Sequence, residues 1–212
     1  MTLAHRRGAF LVMMALCAVP FSEGAPAAAE TPGDAARGRA VFAEKHCSQC
    51  HLPRGQQGVG PALEEVRRPQ GALHLAGRLW NHAPVMFSTL EQKGFEWPRV
   101  SAAQMADLMA YLLADPSRDP APDLFRGQVL LIRKGCLKCH RLRREGGTVG
   151  IELTTYHGGF QSPVAWAATI WNHSPRMAGH AAGLGLLYPR FAGDEMGNLF
   201  GFLKSAAEAS PK

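Results

Sequence analysis

The chain has 212 residues, of which 46% are hydrophobic and 19% are charged. This composition is ordinary for a globular protein, so it excludes a disordered tail protein and a fibrous repeat, and it leaves room for one large domain or two small ones. The 23 Lys and Arg against 17 Asp and Glu give a net charge of +6. The basic residues form no aromatic-rich or helix-turn-helix pattern, so we expect no nucleic-acid partner.

The first 29 residues follow the order of a secretory signal peptide. A basic stretch at residues 5–7 precedes an apolar run over residues 9–21, and small residues follow up to Ala29. An apolar run of about 13 residues is too short to span a bilayer. We expect residues 1–29 to be removed on export to the periplasm, which leaves a mature protein with no integral membrane segment.

The four cysteines beyond residue 29 form two copies of C-x-x-C-H, the attachment signature of haem c. The two thiols bond to the two vinyl groups of one porphyrin, and the adjacent imidazole is held where it can bind the iron. A zinc site needs four ligands in one place, and a redox thiol pair has no use for the histidine. We therefore predict two covalently bound haem c groups. Their binding residues are Cys47, Cys50, His51, Cys136, Cys139 and His140.

The two halves of the chain resemble each other well beyond these motifs, as expected for a duplication. The motifs are 89 residues apart, and the segments W-N-H-x-P-x-M that begin at Trp80 and Trp171 are 91 residues apart. Residues 115–122 contain three prolines, which cannot continue a helix. We predict a domain boundary there, with one domain at 30–117 and the second at 118–212.

The hydrophobic periodicity of each half is helical, and strand signals are nearly absent. Gly38 and Gly127 fall inside the predicted first helix of each half, which is more easily explained if another helix crosses closely at that point. Tyr111 and Phe202, near the ends of the predicted last helices, are the aromatic partners expected at the crossings. We predict an all-α fold.

Together these features resemble the class I cytochromes c. The resemblance covers a first helix with an internal glycine, C-x-x-C-H, a Gly-Pro turn, a Met-bearing loop and a last amphipathic helix. It implies two tandem class I cytochrome c-like helical domains, each wrapped around a covalent haem that carries single electrons. In that family the Gly-Pro turn, here Gly60-Pro61, supplies a carbonyl to the iron-binding His. Because Ile151 follows Gly150 in the second half, we expect this hydrogen bond to be weaker there.

Two residue types repeat at a position suited to the second axial ligand of the iron. Met86 and Met177 lie 35 and 37 residues after the motif histidines, in segments rich in turn residues that predict a loop around the porphyrin edge. We predict iron ligation by Met86 and Met177, opposite the motif histidines. His82 and His173, four residues earlier, are the alternative, and would give a lower reduction potential because a thioether favours ferrous iron.

Basic residues crowd the second motif, where Glu145 is the nearby acid. They are Arg133, Lys134, Lys138, Arg141, Arg143 and Arg144. We interpret them as a solvated surface or as a docking face for an acidic redox partner. Positive charge and a weaker proximal hydrogen bond both predict a higher reduction potential for the second haem.

The predicted function is that of a periplasmic diheme cytochrome c that shuttles single electrons between redox proteins, rather than that of an enzyme. Two alternatives stay open: a haem-bearing subunit of a membrane-associated respiratory or dehydrogenase complex, and a diheme oxidoreductase or peroxidase. An enzyme needs an open or displaceable iron position, whereas both halves carry a candidate ligand for it.

Overall fold

The computed structural model of the protein describes residues 32–156 and 158–210, so the predicted signal peptide lies outside the described residues. The helices are α1 Ala35–Glu44, α2 Leu63–Val66, α3 Ala72–Gln92, α4 Ala102–Tyr111, α5 Leu124–Arg133, α6 Pro163–Gly183 and α7 Glu195–Glu208. Strands within the described residues are the short antiparallel pair β1 Arg141–Leu142 and β2 Glu145–Gly146. The predicted helical character is confirmed, with this one small hairpin as the addition.

The first and last helices of each half cross at a glycine. A Cβ atom on Gly38 would lie 1.9 Å from a carbonyl oxygen of α4 and 2.8 Å from the Cβ of Tyr111. In the second half, a Cβ on Gly127 would lie 2.1 Å from a carbonyl oxygen of α7 and 2.6 Å from the Cβ of Phe202. The two close crossings and their aromatic partners are therefore confirmed, since any side chain at either glycine would push the helices apart.

Asp107 ties α4 to the start of α1. Its carboxylate accepts hydrogen bonds from the Asp34 N–H (2.7 Å) and from the Arg37 guanidinium (2.8 and 2.9 Å). The Arg37 hydrogen bond, followed by that of the Asp34 backbone, holds the pKa of Asp107 below its usual range. At the equivalent position of the second half, Asn198 accepts the Asp123 N–H at 2.8 Å. An amide therefore makes the same backbone contact without the ion pair.

The ion pair between Arg37 and Asp107 stabilises the first half to an extent that depends on pH. Since the folded-state pKa of Asp107 is depressed, its contribution is present above the unfolded value of about 4 and is lost as the pH falls through the lower folded value. We expect Asp107→Asn to lower the urea midpoint at pH 7 and to lose less stability than the parent below about pH 4. Urea unfolding at pH 7 and pH 3 measures this, with exposed Glu96→Gln as the control; parallel pH profiles for Asp107→Asn and the parent would contradict it.

The segments that carry Met86 and Met177 are helices, and the prediction of loops there is wrong. Both lie in the 21-residue helices α3 and α6, although Pro84 and Pro175 fall inside them. A proline removes one backbone hydrogen bond and disfavours a helix interior. The helices persist because their apolar faces are buried: α3 buries eight residues, and it packs mainly against α6. Tertiary burial here outweighs local propensity.

The two halves meet through reciprocal hydrogen bonds from the repeated Trp-Asn pair. Trp80 Nε1 donates to the Pro189 carbonyl at 2.6 Å, and Trp171 Nε1 donates to the Pro98 carbonyl at 2.8 Å. A tilted ring contact adds to this, since the ring centres of Trp97 and Trp171 are 4.3 Å apart at an interplanar angle of 31°. Each half thus places one tryptophan of its long helix against a loop of the other half. These loops contain the segments Trp97-Pro98-Arg99 and Tyr188-Pro189-Arg190.

The neighbouring asparagines repeat the exchange with both atoms of their amides. Asn81 donates to the Phe191 carbonyl at 2.6 Å and accepts the Phe191 N–H at 2.8 Å. Asn172 donates to the Val100 carbonyl at 2.7 Å and accepts the Val100 N–H at 3.0 Å. Each amide therefore pairs with one residue of the other half as a neighbouring strand would, through both its N–H and its carbonyl group, and holds that loop in place.

The proline-rich stretch between the halves is packed against the first of them. Asp119 accepts hydrogen bonds from the Leu73 N–H (2.9 and 3.0 Å) and the His74 N–H (3.3 Å). These N–H groups at the start of α3 have no partner within the helix, so Asp119 satisfies them.

Within residues 32–156 and 158–210, no helix is long and apolar enough to cross a membrane.

Candidate functional site

The first C-x-x-C-H motif follows α1 directly. His46 adopts a left-handed backbone (φ 63°) that turns the chain into the short 3-10 turn Cys47–Gln49. The His51 ring is buried, 6.4 Å from the Phe42 ring between centres. Its Nδ1 lies 3.0 Å from the Pro61 carbonyl oxygen. This hydrogen bond places the proton on Nδ1, so that Nε2 offers its lone pair to a metal.

The second motif has the same geometry. Gly135 provides the left-handed turn (φ 75°) before the 3-10 turn Cys136–Lys138, and His140 is buried to the same degree as His51. The His140 Nδ1 lies 3.1 Å from the Ile151 carbonyl oxygen. The expected weakening of this bond is wrong, because the acceptor is a main-chain oxygen that the exchange of proline for isoleucine leaves in place.

A glycine beneath each motif histidine keeps room for the imidazole. A Cβ on Gly60 would lie 2.7 Å from the His51 Cε1, and one on Gly150 would lie 2.5 Å from the His140 Nδ1. The backbone approaches both rings too closely for a side chain. The glycines and the carbonyls that follow them therefore fix the orientation of both imidazoles.

Each motif histidine faces a second histidine across a gap. The ring centres of His51 and His82 are 6.0 Å apart at an interplanar angle of 57°, and those of His140 and His173 are 6.2 Å apart at 65°. The facing histidines come from α3 and α6. Burial lowers the pKa of His82 and of His173, so both imidazoles are neutral at neutral pH and can act as ligands.

The predicted ligands Met86 and Met177 line the same cavities as the histidines. Each lies one helical turn beyond its histidine and is partly buried against the hydrophobic core. Both residue types of each long helix therefore face the cavity. The ligation by Met86 and Met177 stays a prediction.

The cavity at the first motif is a slot of about 60 Å³, whereas the cavity at the second motif encloses about 1180 Å³. The second is larger because it continues past the imidazole gap to the contact between the halves, where Trp97 lines it. Among the described residues, the buried Trp97 Nε1 has no hydrogen-bond partner, and neither has the buried Nε of Arg141, the residue after His140. Trp97 lines the second cavity, where a group that carries carboxylates, such as a haem with its propionates, would offer an acceptor to its N–H.

The first thiol of each motif does not have the electrostatics of a redox or metal-thiolate site. Burial raises the pKa of Cys47 and that of Cys136 to about 11. Reactive and metal-binding cysteines have lowered pKa values instead. The four motif cysteines are free of disulfides, in pairs that share one wall of a cavity with a buried imidazole.

Comparison with protein families decides the class of the first half, since the family model described as cytochrome c matches residues 35–114. This segment is a cytochrome c domain. For this segment, the match implies covalently bound haem c and a role in electron transfer. No match to the chain was found among the curated proteins or among the solved structures.

The cytochrome c domain contains the predicted attachment residues Cys47, Cys50 and His51, which its structure places together on one cavity wall. Their chemistry fits a haem c, because two thiols and an oriented imidazole line one cavity, with the His82 imidazole facing that of His51. Sequence reasoning missed the close packing of Gly60 against the His51 ring and the helical position of His82. The repeat of the W-N-H segment in both halves was the signal in the sequence that pointed to His82.

The charge around the second motif is more balanced than predicted. Lys134 pairs with Glu195 at 2.7 Å, and Glu152 accepts the N–H groups of Arg143 and Arg144 at 3.0 and 2.9 Å. The expectation of a single nearby acid, Glu145, is therefore wrong, because acids distant in sequence fold onto the patch. The predicted difference in reduction potential now rests on the remaining positive charge alone.

We expect Gly60→Ala to disturb the proximal ligand of the cytochrome c domain. The added Cβ would meet the His51 ring at 2.7 Å, so the imidazole must move and lose its hydrogen bond. The ferric absorption spectrum should lose low-spin character at one haem. Gly179→Ala is the control, since a Cβ there meets no atom within 4 Å. An unchanged spectrum for Gly60→Ala would show that the close contact does not orient the ligand.

Proposed function

We propose that the chain is a periplasmic diheme cytochrome c that carries single electrons between redox proteins. In this proposal residues 1–29 are a cleaved signal peptide, and residues 30–117 and 118–212 are two cytochrome c domains of class I type. The observation that carries it is that the second half repeats the proximal geometry of the domain at 35–114. His140 bonds to a main-chain oxygen at 3.1 Å where His51 does so at 3.0 Å, each with a histidine about 6 Å away.

The residues of the two motifs then have defined tasks. Cys47 and Cys50 would hold one haem through thioether bonds, and Cys136 and Cys139 would hold the other. His51 and His140 would bind iron through Nε2, while the Pro61 and Ile151 carbonyls fix their rings. A bound haem supplies a ferric–ferrous couple that takes up one electron at a time.

The side chains on the distal face favour a carrier over an enzyme. In each half, both a histidine and a methionine of the long helix line the cavity opposite the motif imidazole. An oxidoreductase or peroxidase needs an iron position open to substrate. Because each cavity contains two candidate ligands for the iron, the role of electron carrier fits better than that of an enzyme.

The positively charged surface around the second motif favours an acidic redox partner. Arg143 and Arg144 are exposed, and their backbone is held by Glu152 in left-handed conformations (φ 52° and 71°). Exposed charges of one sign steer encounter with a partner of the opposite sign. The rate of electron exchange with an acidic partner should therefore fall as ionic strength rises.

Reductive titration of the mature protein, followed by exposure to carbon monoxide, tests the carrier function. We expect two electrons per chain, full reversibility and no carbon monoxide adduct, because both axial positions are filled. Uptake of one electron per chain would contradict the diheme proposal. Rapid binding of carbon monoxide at either haem would favour the oxidoreductase alternative.

A further inference from the structure

We propose that His82 and His173, rather than Met86 and Met177, bind the two haem irons opposite the motif histidines. The proposal rests on the proposed diheme function and deepens it by assigning both axial ligand sets. It departs from the methionine ligation that the sequence predicts. The proposal is based on two ring pairs: the His51 ring faces the His82 ring, and the His140 ring faces the His173 ring.

The separation of the facing rings has the length that two axial imidazoles require. A metal–nitrogen bond to imidazole is about 2 Å long, and the ring centre lies about 1 Å behind the nitrogen, so two such rings on one ion have centres roughly 6 Å apart. The measured separations are 6.0 Å at the first site and 6.2 Å at the second. Direct packing of two rings is possible at this distance, but both rings also line a cavity with the motif cysteines.

The spacing along the same helices allows only one residue of each histidine–methionine pair to stand opposite the motif histidine, and the ring separations assign that position to the histidine. Met86 lies four residues after His82 in α3, and Met177 lies four residues after His173 in α6. Four residues of α-helix advance about 6 Å along the axis. If the histidine stands opposite the motif imidazole, the methionine lies one helical turn away from that position. It would then serve as an apolar contact for a bound haem, in keeping with its packing against the core.

The contact between the halves holds the histidines in place. Asn81, directly before His82, makes two hydrogen bonds to Phe191 of the other half. Asn172, directly before His173, makes two to Val100. These hydrogen bonds therefore fix the residue directly before each histidine, and with it the position of the histidine on its helix. The same arrangement occurs twice in sequences that differ at many positions, so it does not depend on one local packing detail.

The test compares ligand variants of the mature haem protein by ferric absorption and potentiometry. We expect the parent to lack the far-red charge-transfer band of iron–methionine ligation. His82→Ala and His173→Ala should each abolish the low-spin spectrum of one haem, while Met86→Ala and Met177→Ala keep it. His74→Ala, at an exposed position of α3, is the matched control.

His82→Met keeps the proposal testable if the alanine variant does not fold. It should introduce the far-red band and raise the reduction potential of one haem, because a thioether favours ferrous iron. A far-red band in the parent, or loss of the low-spin spectrum in Met86→Ala, would overturn the histidine assignment while a count of two haems leaves the diheme proposal intact. A chain with one covalent haem would overturn the diheme proposal and the assignment of His173.

Discussion

Replacing Cys47 and Cys50 with Ala is expected to remove one covalent haem from the chain and to leave the other in place. The two thiols of a C-x-x-C-H motif form the only covalent attachments of its haem, and the second motif is 89 residues away. We expect the haem absorbance per chain to fall by half, and the intact mass to fall by about one haem. Pyridine haemochrome absorbance and mass spectrometry of the mature variant measure both.

The matched variant carries Ala at Cys136 and Cys139, and it should lose the other haem. Since the two motifs have nearly identical proximal geometry, the two losses should be equal in stoichiometry but different in spectrum and potential. Haem loss in the first variant with no loss in the second would confine attachment to the cytochrome c domain at 35–114. Loss of both haems in either variant would show that neither half matures alone.

The second large effect is expected at the contact between the halves. Asn81→Leu leaves the Phe191 N–H and carbonyl without their partner, and Phe191 is 8% exposed. Each buried polar group without a partner costs about 1–3 kcal/mol, so the loss of both partners should lower the unfolding free energy by about 2–6 kcal/mol. Chemical denaturation followed by circular dichroism measures this loss.

Asn172→Leu is the symmetric variant, because it removes the corresponding pair of bonds to Val100. It should cost about as much as Asn81→Leu. Ser88→Leu, at an exposed position of the same helix α3, serves as the control and should change stability little. If Asn81→Leu is as stable as the Ser88 control, the two halves do not depend on each other as the hydrogen bonds indicate.

Much of the fold follows from local pattern. The glycines at the helix crossings and their aromatic partners follow from the sequence pattern, because a glycine inside a helix indicates a close crossing and each predicted last helix has an aromatic residue near its end. Gly38 is an example, since the structure places it against Tyr111 as predicted. The attachment motifs are equally local, since the chemistry of haem c fixes their five residues.

The rest depends on contacts between distant segments. Pro84 and Pro175 predict a break, and only burial of α3 against α6 explains why these segments stay helical. The hydrogen bond to His140 survives because its acceptor is backbone, which no residue type reveals. Glu195 reaches Lys134 from 61 residues away, so the balance of charge at the second motif is a property of the tertiary structure.

The number of covalent haems on the intact mature chain decides whether the protein is a diheme cytochrome c. Mass spectrometry of the exported protein, with haemochrome absorbance on the same sample, gives this number. Two complete motifs with buried, oriented imidazoles predict the mass of the chain from residue 30 onward plus two haems, with no thiol left to alkylate after denaturation. A mass with one haem, and two cysteines that react with an alkylating reagent, would contradict the proposal of two covalent haems.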